Sequence, residues 1–261
     1  MSNSDRTPRT YLPLQNGLKK DNSDNVRYKE FVPDASLSNV VYTFWELKSV
    51  VPLKEDFAYT IMPDACIDLI FSLSMKPKAL PVLTTPHVAS RDINLGASFH
   101  HIGIRFYPGV FTELAPNISS IVGNELPCPS LGSSDLEKFT SSLEDAPESE
   151  HVSLLNNLVF SLLKSGYVAS DILVAKTIDG LLEGKSVEII AQTCGYSTRQ
   201  LRRVIRKKTG FSPMQLYRVI RFQLALSSNE YLLRFADQAH LIKEFNAITG
   251  SSHRAFLKRF N

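Results

Sequence analysis

"STRQLRRVIRKKTG", Ser197 to Gly210, decides how the C-terminal part of this 261-residue chain is read. Ser197 and Gln200 stand three apart as a capping box, in which each side chain takes up a backbone N–H that a helix start leaves over. Gly210 supplies a terminator that tolerates left-handed backbone. Between them, Arg199, Arg202, Arg203 and Arg206 follow i, i+3, i+4, i+7 spacing and share one face. Leu201, Val204 and Ile205 fall on the opposite side. The pattern predicts a helix with its apolar stripe turned into a domain and an arginine stripe turned out.

The flanks extend the motif. "SVEIIAQTCG" predicts a short helix capped by Ser186 and ended by Gly195, and "CGYS" a tight turn, so the two helices make a helix-turn-helix. "SPMQ" opens a further helix, with Ser212 as N-cap, Pro213 at the first position and Gln215 at the third. Arginine brings charge for phosphates and a planar fork for guanine edges, and the start of the second helix is where such a motif meets bases. The plainer alternative is an arginine-rich surface helix without a ligand.

Charge follows the same division. From Gly195 to Asn261 there are 13 Lys/Arg against 3 Asp/Glu, a balance of +10. The totals of 29 and 26 leave 16 and 23 for residues 1–194, a balance of −7. A basic end on an acidic body implies a polyanion partner, nucleic acid first.

The C-terminal region also repeats. At an offset of 40 residues Gly210 falls on Gly250, Thr209 on Thr249, Ile205 on Phe245 and Ser212 on Ser252. The matched positions are those that pack, which points to a duplicated structural unit.

Upstream the period changes. Residues 1–27 are polar and read as a flexible tail. From Tyr28 to Gly132, "VVYTFWEL", "FAYTIMP", "CIDLIFSL" and "HHIGIRFYP" are short β-branched and aromatic segments punctuated by Pro, Gly, Asn and Asp, which predicts a small sandwich or barrel. Residues 133–169 are expected to hold an acidic linker and then a helix. In that helix Leu155, Leu158, Val159 and Leu162 share one face, available either to ordinary core packing or to a second copy. Residues 170–261 complete the chain as an all-helical unit.

At this point a family comes into view. The run from Ser186 to Leu226 resembles the first helix-turn-helix and connecting helix of AraC-type transcription regulators, and "ADQAHLIKEFNAITGSSHRAFLKR" resembles the end of their second. The likeness covers about Val174 to Phe260. "YTFWEL", "MPDACIDLIF" and "IGIRFYPGVF" are similar to a sensor-like N-terminal domain found in one branch of these regulators. The resemblance implies an α+β protein: an N-terminal β-sandwich or barrel-like domain followed by an all-α DNA-binding domain with two helix-turn-helix units. It implies double-stranded DNA as partner, with the N-terminal domain taking a small-molecule or protein effector or pairing two copies.

The chain departs from that pattern in one place. The interval between the two Thr-Gly marks is shorter by roughly ten residues, leaving "SSNEYLLRF" where a turn and a supporting helix belong. "EYLLRF" spans under about two turns and holds only by packing, through Tyr231, Leu232, Leu233 and Phe235. Arg234-Phe235 stands where the family has Gly-Tyr. If the backbone there needs positive φ, losing Gly costs on the order of 1 kcal/mol. The outward stripe thins as well: Ala239, Ile242, Lys243 and Asn246 occupy the places of the four arginines.

The expected DNA contacts are Arg199, Arg202, Arg203, Arg206 and Lys207, with Ser197, Thr198 and Gln200 at the helix start. Gln238, His240 and Lys243 are the weaker set on the second unit. Candidate effector-binding residues are Trp45, Met62 and Arg105, together with Asp64, Cys66 and Asp68, which alternate as on one strand. A buried structural network is the competing reading of Asp64, Cys66 and Asp68, and core packing that of Trp45, Met62 and Arg105.

No cofactor or metal is expected. His100 and His101, adjacent on a strand, point to opposite faces. Cys128 in "PCP" has no basic neighbour to favour its thiolate. Three widely spaced cysteines without a CxxC pair, a polar N-terminus and the lack of a long apolar run fit a cytoplasmic protein without a membrane span. No catalytic motif raises an enzymatic reading. The alternative is a protein-interaction module with a degenerate second helix-turn-helix.

Overall fold

The computed structural model describes residues 25–73, 79–111, 125–127, 133–227, 238–252 and 254–256. Eight strands come first: β1 (Val26–Phe31), β2 (Val41–Ser49), β3 (Ala58–Ile61), β4 (Ile67–Ser72), β5 (Val82–Thr84), β6 (Arg91–Asn94), β7 (His100–Phe106) and β8 (Glu125–Pro127). Six form an antiparallel sheet in the order β1-β2-β7-β4-β5-β8, and β3 and β6 form a separate two-stranded ribbon.

Period-2 alternation decides what each face of the large sheet carries. From β4, Ile67, Leu69 and Phe71 join Phe44 of β2 and Ile102, Ile104 and Phe106 of β7 on one face. That face is covered by two helices, α1 (Ser133–Asp145) and α2 (Glu148–Lys164). The acidic stretch expected as a linker is thus helical from Ser133. Its Leu136 and Leu143 enter the same core as Leu155, Val159 and Leu162 of α2. The α2 stripe is therefore used inside the monomer, and a second copy would have to dock elsewhere.

The opposite face carries Trp45 and Leu47, which pack with Phe57 and Tyr59 at the β3–β6 ribbon. The N-terminal domain is layered as helices, sheet and ribbon. One close approach fixes the second interface. Trp45 stands opposite Gly103 across β2 and β7, and a Cβ on residue 103 would lie 2.2 Å from the indole.

Five helices follow: α3 (Ile172–Leu182), α4 (Val187–Thr193), α5 (Thr198–Thr209), α6 (Pro213–Ser227) and α7 (Gln238–Thr249). The predicted caps are all present. Ser186 accepts from Ile189 N–H, and Gly210 ends α5 at φ 78°. Ile178 and Leu181 of α3, Ile190 of α4, Leu201 and Ile205 of α5, and Leu216 and Ile220 of α6 form one core. Phe222 of α6 forms another with Phe245 and Ile248 of α7 and with Phe256.

The 40-residue repeat extends to individual hydrogen bonds. Thr209 Oγ1 donates to the Ile205 carbonyl at 2.9 Å and accepts from Phe211 N–H at 3.1 Å. Thr249 Oγ1 donates to the Phe245 carbonyl at 2.9 Å and accepts from Ser251 N–H at 3.2 Å. The expected supporting helix, Tyr231 to Phe235, lies outside the described residues, between the end of α6 and the start of α7. No helix among the described residues is long and apolar enough to cross a membrane.

Candidate nucleic-acid interface and cavity

The helix-turn-helix presents its arginines as the spacing requires. Leu201 and Ile205 are fully buried and Val204 is half-buried, while Arg199, Arg202, Arg203, Arg206 and Lys207 are exposed. Arg202 Nη2 lies 3.4 Å from Glu188 Oε1 of α4. An exposed pair of this kind is worth at most about 1 kcal/mol, so it leaves the guanidinium available to a phosphate. At the start of α5, Gln200 Oε1 accepts from Ser197 N–H at 2.9 Å and from its hydroxyl at 2.8 Å. Ser197 and Gln200 are thus engaged with each other in the cap. Thr198 is half-buried beside them.

The second unit differs. Lys243 is exposed on α7, whereas the side chains of Gln238 and His240 lie outside what is described. The neighbouring Glu244 turns back to α6, 3.7 Å from both Arg218 Nε and Arg221 Nη1. Two of the C-terminal cations therefore serve the packing of α7 against α6. Charge counting could not separate these structural arginines from outward ones.

Five of the six effector candidates line one cavity between the large sheet and the β3–β6 ribbon: Trp45, Asp64, Cys66, Asp68 and Arg105. The shared strand expected for Asp64, Cys66 and Asp68 is not what brings them together. Only Asp68 is on β4. Asp64 and Cys66 flank Ala65, whose φ of 59° is the one left-handed value at a non-glycine among the described residues. Asp64 Oδ1 accepts Cys66 N–H at 2.9 Å and holds this turn. Met62 does not reach the cavity. Its side chain joins Phe222, Phe245, Ile248 and Phe256, because the turn aims this apolar residue at the C-terminal helices.

Arg105 is the electrostatic centre of the cavity. Its Nε and Nη2 donate to Asp68 at 3.0 and 2.9 Å, and Asp64 Oδ2 lies 3.3 Å from Nε. Burial pushes the Asp68 carboxyl up to about 6, against the pull of the Arg105 charge. Burial works against the Arg105 cation as well, but the adjoining carboxylates outweigh it and raise its pKa. His87, a loop residue outside the six effector candidates, also lines the cavity, and burial lowers its pKa.

The two adjacent histidines do part as expected. His101 faces the cavity and bonds Ser72 Oγ through Nδ1 at 3.0 Å, and burial takes it down to about 4. His100 Nε2 meets Glu46 Oε1 at 2.8 Å. No group of three or more potential ligands suited to a metal occurs among the described residues, and Cys128 lies outside them.

Both parts of the chain have counterparts among known families. Residues 29–124 match a domain of unknown function, DUF6597. Residues 181–217 match the family described as bacterial regulatory helix-turn-helix proteins, AraC family. No curated protein matches the chain. Among solved structures, an apo variant of ToxT from Vibrio cholerae is similar at 12% identity and a TM-score of 0.42, over 83% of this chain and 98% of its own. The helix-turn-helix built by α4 and α5 is an AraC-family DNA-binding unit of the kind found in transcription regulators, standing behind a strand-rich N-terminal domain.

Proposed function

We propose that this protein is a sequence-specific DNA-binding transcription regulator acting in the cytoplasm, whose N-terminal domain modulates DNA binding through an effector or partner. The observation that carries the first half is the division of α5 into a buried Leu201/Ile205 stripe and an exposed arginine stripe on an AraC-family unit. In a regulator of this design Arg199, Arg202, Arg203, Arg206 and Lys207 meet phosphates and base edges. Thr198 does so from the helix start, as do Ser197 and Gln200 if DNA opens their cap. Gln238, His240 and Lys243 then add register from the second unit.

What supports modulation is the segment from Met62 to Cys66. Asp64 and Cys66 line the cavity, whereas Ala65 is buried in the α3–α6 core and Met62 in the α6–α7 core. A change in the cavity therefore has a five-residue path to both reading units. Ser90 adds a second tie, since its N–H and hydroxyl both donate to the Ile248 carbonyl, at 2.8 and 3.1 Å.

Binding-site selection with the full chain, followed by titration at several salt concentrations, tests the reading. The expected result is a defined site whose affinity falls steeply with salt, by a log–log slope of about 0.9 per phosphate neutralised. Absence of selective, salt-sensitive binding at low salt sinks it and leaves the protein-interaction module. A selected site with two adjacent halves requires both units to read, and a single half requires one.

A further inference from the structure

The cavity between sheet and ribbon measures about 140 Å³. A cavity of about 150 Å³ lined by apolar side chains admits one benzene-sized ring. Tyr28, Trp45, Leu47, Tyr59, Ile70 and Ile93 supply most of such a wall here. Size and lining together set the occupant at one six-membered ring.

Its charge follows from the groups already present. Asp64 and Asp68 hold Arg105 from one side, and Glu30 Oε1 lies 3.9 Å from its Nη1. A second guanidinium, Arg91, lines the cavity nearer His87. A ligand carboxylate would meet carboxylates that already hold the Arg105 charge. A ligand ammonium would be buried beside two guanidinium groups. Either charge would lose its water without gaining a free counter-ion, a penalty of several kcal/mol or more.

Among the buried polar atoms of the lining residues, Trp45 Nε1, Arg105 Nη1 and His87 Nε2 have no hydrogen-bond partner. The first two are donors. His87 bonds to the backbone of Thr85 and Ile61 and is kept neutral by burial, so its remaining nitrogen is an acceptor. A group that accepts one hydrogen bond and donates another fits this set.

We propose that the cavity binds one uncharged, single-ring molecule carrying a hydroxyl, with the ring against Tyr28, Trp45 and Tyr59 and the hydroxyl between the unused N–H groups and His87. This proposal rests on reading the N-terminal domain as the sensing half. It adds the chemical class that the domain senses.

The chain contains a single tryptophan, Trp45, so its emission reports directly on the cavity. The full chain is titrated with cyclohexanol, cyclohexanecarboxylate and cyclohexylammonium. The expected result is a saturable change in Trp45 emission with cyclohexanol, and at least tenfold weaker responses to the two charged rings. Val82→Phe and Leu95→Phe fill the cavity from β5 and from the end of β6. Whichever variant keeps the parent's circular dichroism and melting profile should lose the cyclohexanol response at least tenfold. No saturable response to cyclohexanol overturns the proposal. So does an equal response to either ion, or a response that persists in a folded, filled variant. DNA binding is measured on the same samples: a chain that binds DNA but not cyclohexanol has the wrong ligand class assigned and keeps its role as regulator.

Discussion

Gln223 Nε2 donates to the Pro63 carbonyl at 2.8 Å, with both residues buried, and ties α6 to the turn before β4 across 160 residues of sequence. The bond is a direct link between the N-terminal domain and the helix that connects the two repeated units. Gln223→Leu preserves much of the volume but leaves a buried carbonyl unpaired, which costs about 1–3 kcal/mol. Urea unfolding of the full chain checks this. A midpoint shift worth less than about 0.3 kcal/mol would show that the tie contributes nothing measurable.

The two reading units are expected to contribute unequally. Arg202→Ala removes one of five exposed cations on α5 and should weaken DNA binding at least roughly tenfold, or about 1.4 kcal/mol. It should also lower the salt slope by about 1. Lys243→Ala, on a helix whose Glu244 is committed to Arg218 and Arg221, should cost less than about threefold. Titration of both variants on one operator at fixed salt decides. Comparable losses contradict the asymmetry.

Acid should expose the Glu46 cluster. Burial alone would raise this carboxyl. The hydrogen bond from His100 at 2.8 Å and the Lys48 charge at 3.3 Å outweigh burial and take it down to about 2. A lowered carboxylate pKa contributes stability that is present above the unfolded value near 4.5 and is lost as pH falls toward 2. The full effect is on the order of 3 kcal/mol. Glu46→Gln removes it, so the unfolding midpoint of the variant should depend less on pH between 4.5 and 2.5 than the parent's. Asp68, whose pKa is raised, acts with the opposite sign between about 4 and 6 and is common to both proteins. Parallel curves for the two proteins would count against the cluster.

What the sequence showed and what it hid divide along contact range. The α5 capping box, the left-handed Gly210 and the opposed arginine and leucine stripes are local, fixed within one or two turns, and were legible as written. The repeat was legible because the Thr209 and Thr249 hydrogen bonds depend on residues only two and four positions away. Met62 was not. Its neighbours Phe222, Phe245, Ile248 and Phe256 are 160 or more residues distant, and an apolar residue beside candidate pocket residues has the same local signature whichever way it points. Asp64, Cys66 and Asp68 were grouped correctly through the wrong geometry. Alternation suggested a strand, but the left-handed Ala65 turn is what brings them into one cavity.

Met62 and Ser90 support α7 from the N-terminal domain. Met62 packs on Phe245, Ile248 and Phe256, and Ser90 gives two hydrogen bonds to the Ile248 carbonyl. The N-terminal domain therefore bears directly on α7, whereas α5 is held by Leu201 and Ile205 in a different core. Met62→Ala removes a buried side chain at a cost of roughly 2–5 kcal/mol. Because local stability is set by local contacts, the loss should be concentrated in α7. Amide hydrogen exchange on the full chain should show the Phe245 and Ile248 region opening at least roughly tenfold more often, with α5 unchanged. Equal acceleration in α5 and α7 would mean that Met62 stabilises the whole C-terminal unit. No acceleration in α7 would mean that contacts to α6 alone hold the second helix in place.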